Sequence, residues 1–186
     1  MKALFRYIYF EIVYFNMDSK DPVFFMEQQR FDQLWVRLLV VALIVFVWYG
    51  AIQQLIFGIS FGNNPASDPV MLLLLIVFGI LFPAFMLSLK MVTEVRNDGL
   101  YIRFYPIHRS FRRFTFESIR SYEVRDYSPL KDYGGWGIRF GPKGQAYNVS
   151  GSKGVVLVLE DGKRLMVGSQ HPDELAAAIS RGMDAS

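Results

Sequence analysis

Few side chains in this sequence are spaced for chemistry. The densest group is RSFRRF, where Arg109, Arg112 and Arg113 are interleaved with Phe111 and Phe114. Cations beside an anionic leaflet contribute about 1 kcal/mol each, and aromatic rings dip into the interface. A second group, Trp136, Arg139 and Tyr147, follows paired glycines and offers an aromatic anchor for a partner. Each group also has a plainer reading. The arginines then belong to a solvated loop and strand face with the phenylalanines in the core, and Trp136 is buried beside tight turns.

Catalytic chemistry finds no constellation. His108 and His171 are the only histidines and no cysteine accompanies them, so neither a zinc site nor a thiolate nor a disulfide is expected. His171, just before Pro172, reads as a helix-cap residue. The segment Asn148-Val149-Ser150-Gly151-Ser152 lacks both glycines of a G-x-S-x-G elbow. Glu94, Glu117, Glu123 and Asp126 are scattered along expected strands without a base–nucleophile pair. No catalytic residue, cofactor or metal ligand is assigned, and an enzyme is not expected.

Seven of the 15 glycines fall in GGWGIRFGPKGQAYNVSGSKG, residues 134–154, which raises the question of a phosphate cradle. The nearest approach to a Walker loop, Gly151-Ser152-Lys153-Gly154, precedes a strand where a helix is required. Gly135-x-Gly137 has Phe140 where the dinucleotide fingerprint needs its last glycine. The glycines are expected instead at corners between strands, with Pro142 setting φ in the Gly141–Gly144 turn.

The elements that carry these residues are of two kinds. Residues 38–57 (LLVVALIVFVWYGAIQQLIF) and 70–89 (VMLLLLIVFGILFPAFMLSL) contain no charge, and each spans about 30 Å as a helix, the hydrocarbon thickness. The connector 58–69 carries no Lys or Arg, whereas Arg30, Arg37, Lys90, Arg96 and Arg103 flank the spans. The positive-inside rule then places both termini in the cytoplasm and the loop outside, a multi-pass protein of the cell membrane. Gln53 and Gln54 are the strongly polar residues within a span. They sit near the outer headgroups or pack against a partner helix. Gly79 and Pro83 are candidate packing and kink positions in the second span, and Trp48-Tyr49 is expected to pack against that span. Residues 1–33 form an N-terminal cytoplasmic or interfacial segment. In it, 4–15 is aromatic-rich and either lies in the interface or is an upstream extension, since Met17 and Met26 offer later starts. FFMEQQRF (24–31) reads as a short amphipathic helix.

After the hairpin of spans (34–90) the period changes to two. MVTEVR-NDG-LYIRFY is a β-hairpin signal, 119–127, 136–140 and 146–149 read as further strands, and 155–159 with 163–167 form a second hairpin. Pro172, Asp173 and Glu174 open a C-terminal helix with Leu175, Ile179 and Met183 on its apolar face, expected to stop at Gly182. The fold class is α+β: a two-helix hairpin, then residues 91–186 as about seven strands capped by one helix.

NDGLYIRFYP, the I-x-S-Y-E-V strand and GVVLVLEDGKRLMVGSQHPDELAAAI, behind two apolar helices, resemble the prokaryotic pleckstrin-homology-like membrane proteins over about residues 24–182. The GGWGIR…AYNVSG…GV block looks like an uncharacterised subgroup of them. The resemblance implies a barrel of two near-orthogonal sheets closed by the last helix. It implies no catalytic residue and, lacking the basic inositide motif, no specific inositide binding. The expected function is a cytoplasmic module that binds a protein partner or lipid headgroups. The alternative is an accessory subunit of a membrane complex acting through its helices. Membrane lipids, anionic headgroups, a protein partner and a homo-oligomer fit this reading. A net charge of +3 is too small to argue for nucleic acid.

Overall fold

A computed structural model describes residues 22–185; the aromatic stretch 4–15 lies outside them. The chain begins with strand β1 (Val23–Arg30), where a helix was expected. The reason is inside the strand. Phe25, Glu27 and Gln29 share the inward face, and two of those three are polar. The period-two alternation of a half-buried strand is therefore hidden from a hydropathy reading.

Helix α1 (Leu34–Ala51, continuing as a π turn to Ile56) and helix α2 (Asp68–Ser88, with a π turn over Val77–Leu81) follow. Each is long and apolar enough to cross a membrane. The helices meet through small residues and polar clasps. Pro83 has no N–H to offer the Gly79 carbonyl one turn back. Trp48 Nε1 donates to that carbonyl at 3.2 Å, and Gly79 leaves the indole room, since a Cβ there would sit 3.1 Å from Nε1. Trp48 thus packs against the second helix as expected, whereas Tyr49 meets Phe61 of the connecting loop instead, and the perturbation expected near Pro83 appears as the π turn before it. At the far end, Gln54 Nε2 donates to Ala66 O (2.7 Å) and to Asp68 Oδ1 (2.8 Å), clasping the start of α2. Gln53 Nε2 donates to the Tyr49 hydroxyl of its own helix at 2.9 Å. The side-chain N–H groups of both glutamines are therefore used within the hairpin. Trp48→Phe removes the clasp on Gly79. It is expected to cost about 1 kcal/mol in a denaturant titration of the full chain in detergent.

Sheet A is a four-stranded antiparallel meander, β1-β2-β3-β4, with β2 (Lys90–Arg96), β3 (Gly99–Tyr105) and β4 (Arg112–Phe114). The expected hairpin around Asn97-Asp98-Gly99 joins β2 to β3. Because β1 pairs with β2 over its whole length, the two helices are an insertion between adjacent strands. The expected division at residues 33 and 91 does not separate the chain into independent parts. Sheet B has the order β5-β8-β9-β7-β6: β5 (Ile119–Asp126), β6 (Gly137–Gly141), β7 (Gly144–Asn148), β8 (Lys153–Leu159) and β9 (Arg164–Gly168). The β8–β9 hairpin is the one expected around Gly162, whereas β7 and β9 run parallel. From β2 onward eight strands form where about seven were expected, and β1 adds a ninth among the described residues.

The inward faces of both sheets make one core. Leu100, Ile102 and Phe104 meet Tyr147, Leu157 and Leu165, and helix α4 (Pro172–Ala185) closes it with Leu175, Ala178 and Ile179. The helix does not stop at Gly182. That residue lies inside it, where the Phe116 ring occupies the space a Cβ would need. A short helix α3 (Pro129–Tyr133) covers the other face of sheet B over Tyr127, Ala146, Val156 and Met166. The sheets do not close into a barrel. Sheet A ends at β4, only three residues long, and a cleft of about 690 Å³ opens beside it, lined by Phe114, Gln145, Leu159 and Leu165 among others.

The glycines of 134–154 divide between two uses. Gly134, Gly135 and Gly151 have positive φ in turns. Gly144, also at positive φ, and Gly154 lie in strands, where a Cβ would run into the Arg164 and Val167 carbonyls. Close strand approach, not only cornering, explains their density.

Candidate functional site

The helices leave sheet A after β1 and re-enter it at β2, and Arg30 pairs with Lys90 across that junction. Lys90 pairs in turn with Tyr105. The loop 106–111 therefore lies at the end of sheet A from which both helices emerge. Tyr105 and Ile107 are 43% and 54% exposed, and Arg109 is exposed beside them. Lys90 Nζ and the Arg103 guanidinium stand 5.6 and 6.0 Å from the Tyr105 ring centroid. This end combines exposed apolar side chains with cations, the composition of an interfacial surface.

Sheet B reaches the same junction. Gln33, just before α1, donates from Nε2 to Val149 O at 2.7 Å. Trp35 in the first turn of α1 lies 5.8 Å from the half-buried Trp136, ring to ring. Arg139 Nε donates to Trp136 O at 2.8 Å. Trp136 is thus neither a free anchor nor a core residue; it braces the module against the root of the first helix.

The arginine cluster does not form one patch, because strand alternation splits it. Arg113 pairs with Asp98 at 2.9 Å on the outer face of sheet A. Arg112 sits opposite the buried Ile102 and therefore on the inner side, beside the Tyr147 hydroxyl. Arg109 stays in the loop. Phe111 packs outside the core, its ring facing the guanidinium groups of Arg103 (4.7 Å) and Arg96 (5.3 Å) and the edge of Tyr101. Phe114 alone of the two packs on the core.

Two features were missed by sequence reasoning. Glu94 is buried in the middle of β2 and takes two hydrogen bonds from Arg96, at 2.7 and 2.9 Å. Glu27 of β1 is also buried, and accepts from Ser169 Oγ (2.6 Å) and from the Gln170 backbone N–H (2.7 Å). Ser169 Oγ in turn accepts from the His171 N–H at 3.0 Å. The His171 carbonyl takes the first helical bond from Leu175, as a cap residue should. Its ring Nδ1 is 3.4 Å from Glu174. Nearby, Gln29 Nε2 donates to Gly168 O at 2.8 Å. Polar residues of β1 thereby fasten sheet A to the β9–α4 corner. An E-x-Q pair within an otherwise aromatic run was the available signal.

His108 bends back over its own strand: its N–H donates to Phe104 O at 2.7 Å, and its ring meets Tyr147 edge-on at 5.9 Å. Burial, and then the nearby Arg112, hold its pKa below the usual 6.5. The unfolded chain then binds the proton more readily than the folded one. The contribution is complete above pH 6.5 and declines as pH falls below it toward the folded value. His108→Gln is expected to flatten that acid-side decline, read as melting temperature against pH. On the other face of sheet B, burial pushes Tyr127 up to about 12. Among the described residues no group of three acidic, histidine or cysteine side chains could hold a metal.

The chain belongs to DUF6141, a family of unknown function, whose profile matches residues 18–185. No curated protein and no solved structure matches it at a significant level.

Proposed function

We propose that this chain is a non-enzymatic integral membrane protein. Its two helices cross the bilayer, and its two-sheet module, of pleckstrin-homology type, rests on the cytoplasmic leaflet to engage anionic headgroups or a partner there. The observation that carries the reading is the shared end: both helices emerge from the edge of sheet A that carries Tyr105, Ile107 and Arg109. A leaflet crossed by the helices must pass beside that loop. Two membrane connections, out of β1 and into β2, hold the module in one orientation, which a single linker would not do. The four-strand meander, the second sheet and the terminal helix support the pleckstrin-homology resemblance. The open cleft beside β4 and the parallel β7–β9 pair depart from it. The accessory-subunit reading draws less support, since the amide N–H groups of Gln53 and Gln54 are occupied within their own hairpin.

A probe on the loop tests this. Ile107→Cys is labelled with an environment-sensitive dye and the full chain is placed in vesicles carrying headgroup-quencher lipids. Strong quenching, greater with phosphatidylglycerol and weakened by salt, is expected. A dye that behaves as in water, unaffected by lipid charge, would remove the loop from the leaflet and with it the lipid-surface role. The truncated fragment 91–186 is unsuitable, because it lacks β1 and leaves β2 as an open edge.

A further inference from the structure

At the root of the hairpin, a groove of about 420 Å³ opens between α1 and α2. Its walls are apolar: Val40, Val41 and Ile44 on one helix, Met86 and Leu87 on the other. Its mouth carries Arg37, with Asp32 and Arg30 beside it. From Arg37 to Ile44 the helix rises about 10 Å, so the groove runs from headgroup level into the acyl region. Arg37 and Asp32 approach only to 3.9 Å, with side chains 63% and 65% exposed. So long and wet a pair is weak, and the guanidinium can turn to a phosphate while its stem stays on the groove wall.

An apolar slot with a cationic mouth, set along the bilayer normal, matches one amphiphile with a negative head. We propose that this groove holds a single anionic phospholipid, its phosphate on Arg37 and one acyl chain between the helices; the proposal rests on the membrane-spanning reading above. The lipid would fix the angle at which the helices enter the module, since the same groove includes Phe31 and Leu89, the residues that join β1 and β2 to the hairpin.

The test uses the purified full chain in neutral detergent, with melting temperature as readout. Phosphatidylglycerol is expected to raise it by several degrees through binding to the folded state. Phosphatidylcholine, whose phosphate is balanced by its own choline cation, and glycerol 1-phosphate, which lacks the chains, are expected not to. Arg37→Gln and Val41→Trp, one removing the cation and the other filling the slot, should each abolish the shift. Arg37→Gln alone suffices if the tryptophan variant misfolds. An equal shift in Arg37→Gln, or an equal shift from phosphatidylcholine or glycerol 1-phosphate, overturns the proposal. So does the absence of any shift in a protein that resists alkaline extraction from membranes. Release by alkali would instead remove the membrane-spanning reading itself.

Discussion

Arg96→Ala is expected to destabilise the full chain by about 3–5 kcal/mol. Glu94 sits in the middle of β2 with its side chain 1% exposed, and Arg96 is the cation that meets it, at 2.7 Å. Removing the guanidinium leaves a carboxylate inside the protein without compensation. It also removes the cation from the Tyr101 ring at 4.5 Å and from Phe111, each contact worth about 0.5–1 kcal/mol. The two residues act as a unit, so the double variant Glu94→Leu/Arg96→Met should recover most of the loss. Only one Glu94 oxygen is satisfied; Oε1 has no partner, and an incompletely bonded buried pair gains little over a well-packed apolar one. Chemical denaturation of the single and double variants measures this. A double variant as damaged as Arg96→Ala would show that packing, not the stranded charge, sets the cost.

Glu27→Ala is the second large effect, with an expected loss of about 2–4 kcal/mol. The substitution strands the buried Ser169 hydroxyl and the part-buried Gln170 N–H, and opens a space between β1 and the start of α4. Glu27→Gln keeps one acceptor oxygen and should cost about half as much. The damage should also be local in a particular way. Amide exchange is expected to accelerate along β1 and at residues 169–171 before it does in β8 and β9. Uniform acceleration over both sheets would mean that β1 is not fastened at this corner.

What was legible in the sequence followed from patterns that burial writes plainly. The two helices carry no charge over residues 38–57 and 70–89. The β2–β3 hairpin is written as two β-rich runs around Asn97-Asp98-Gly99, and the β8–β9 hairpin as two short apolar runs around Asp161-Gly162. β1 was not legible because its inward positions include Glu27 and Gln29, so polarity pointed to the wrong face. The extension of α4 through Gly182 was missed for a related reason. A glycine near a helix end usually marks a stop, but here it makes room for the Phe116 ring, a tertiary fact. The arginine cluster misled differently: contiguous arginines in sequence become opposite faces in a strand, so Arg112 and Arg113 could never share one surface. The surface that does gather is built from Tyr105, Ile107 and Arg109, where loop and helices converge. That convergence depends on β1 pairing with β2 and could not be seen before β1 was.

The central claim is that the hairpin crosses a membrane and keeps the module on one side of it. The chain has no cysteine, so single cysteines report without background. Asn63→Cys lies in the exposed loop between the helices and Ala177→Cys on the exposed face of α4. In intact cells treated with a membrane-impermeant maleimide, Asn63→Cys should label at once and Ala177→Cys only after the membrane is permeabilised. Equal labelling of both positions in intact cells would place loop and module in the same compartment, and contradict the account.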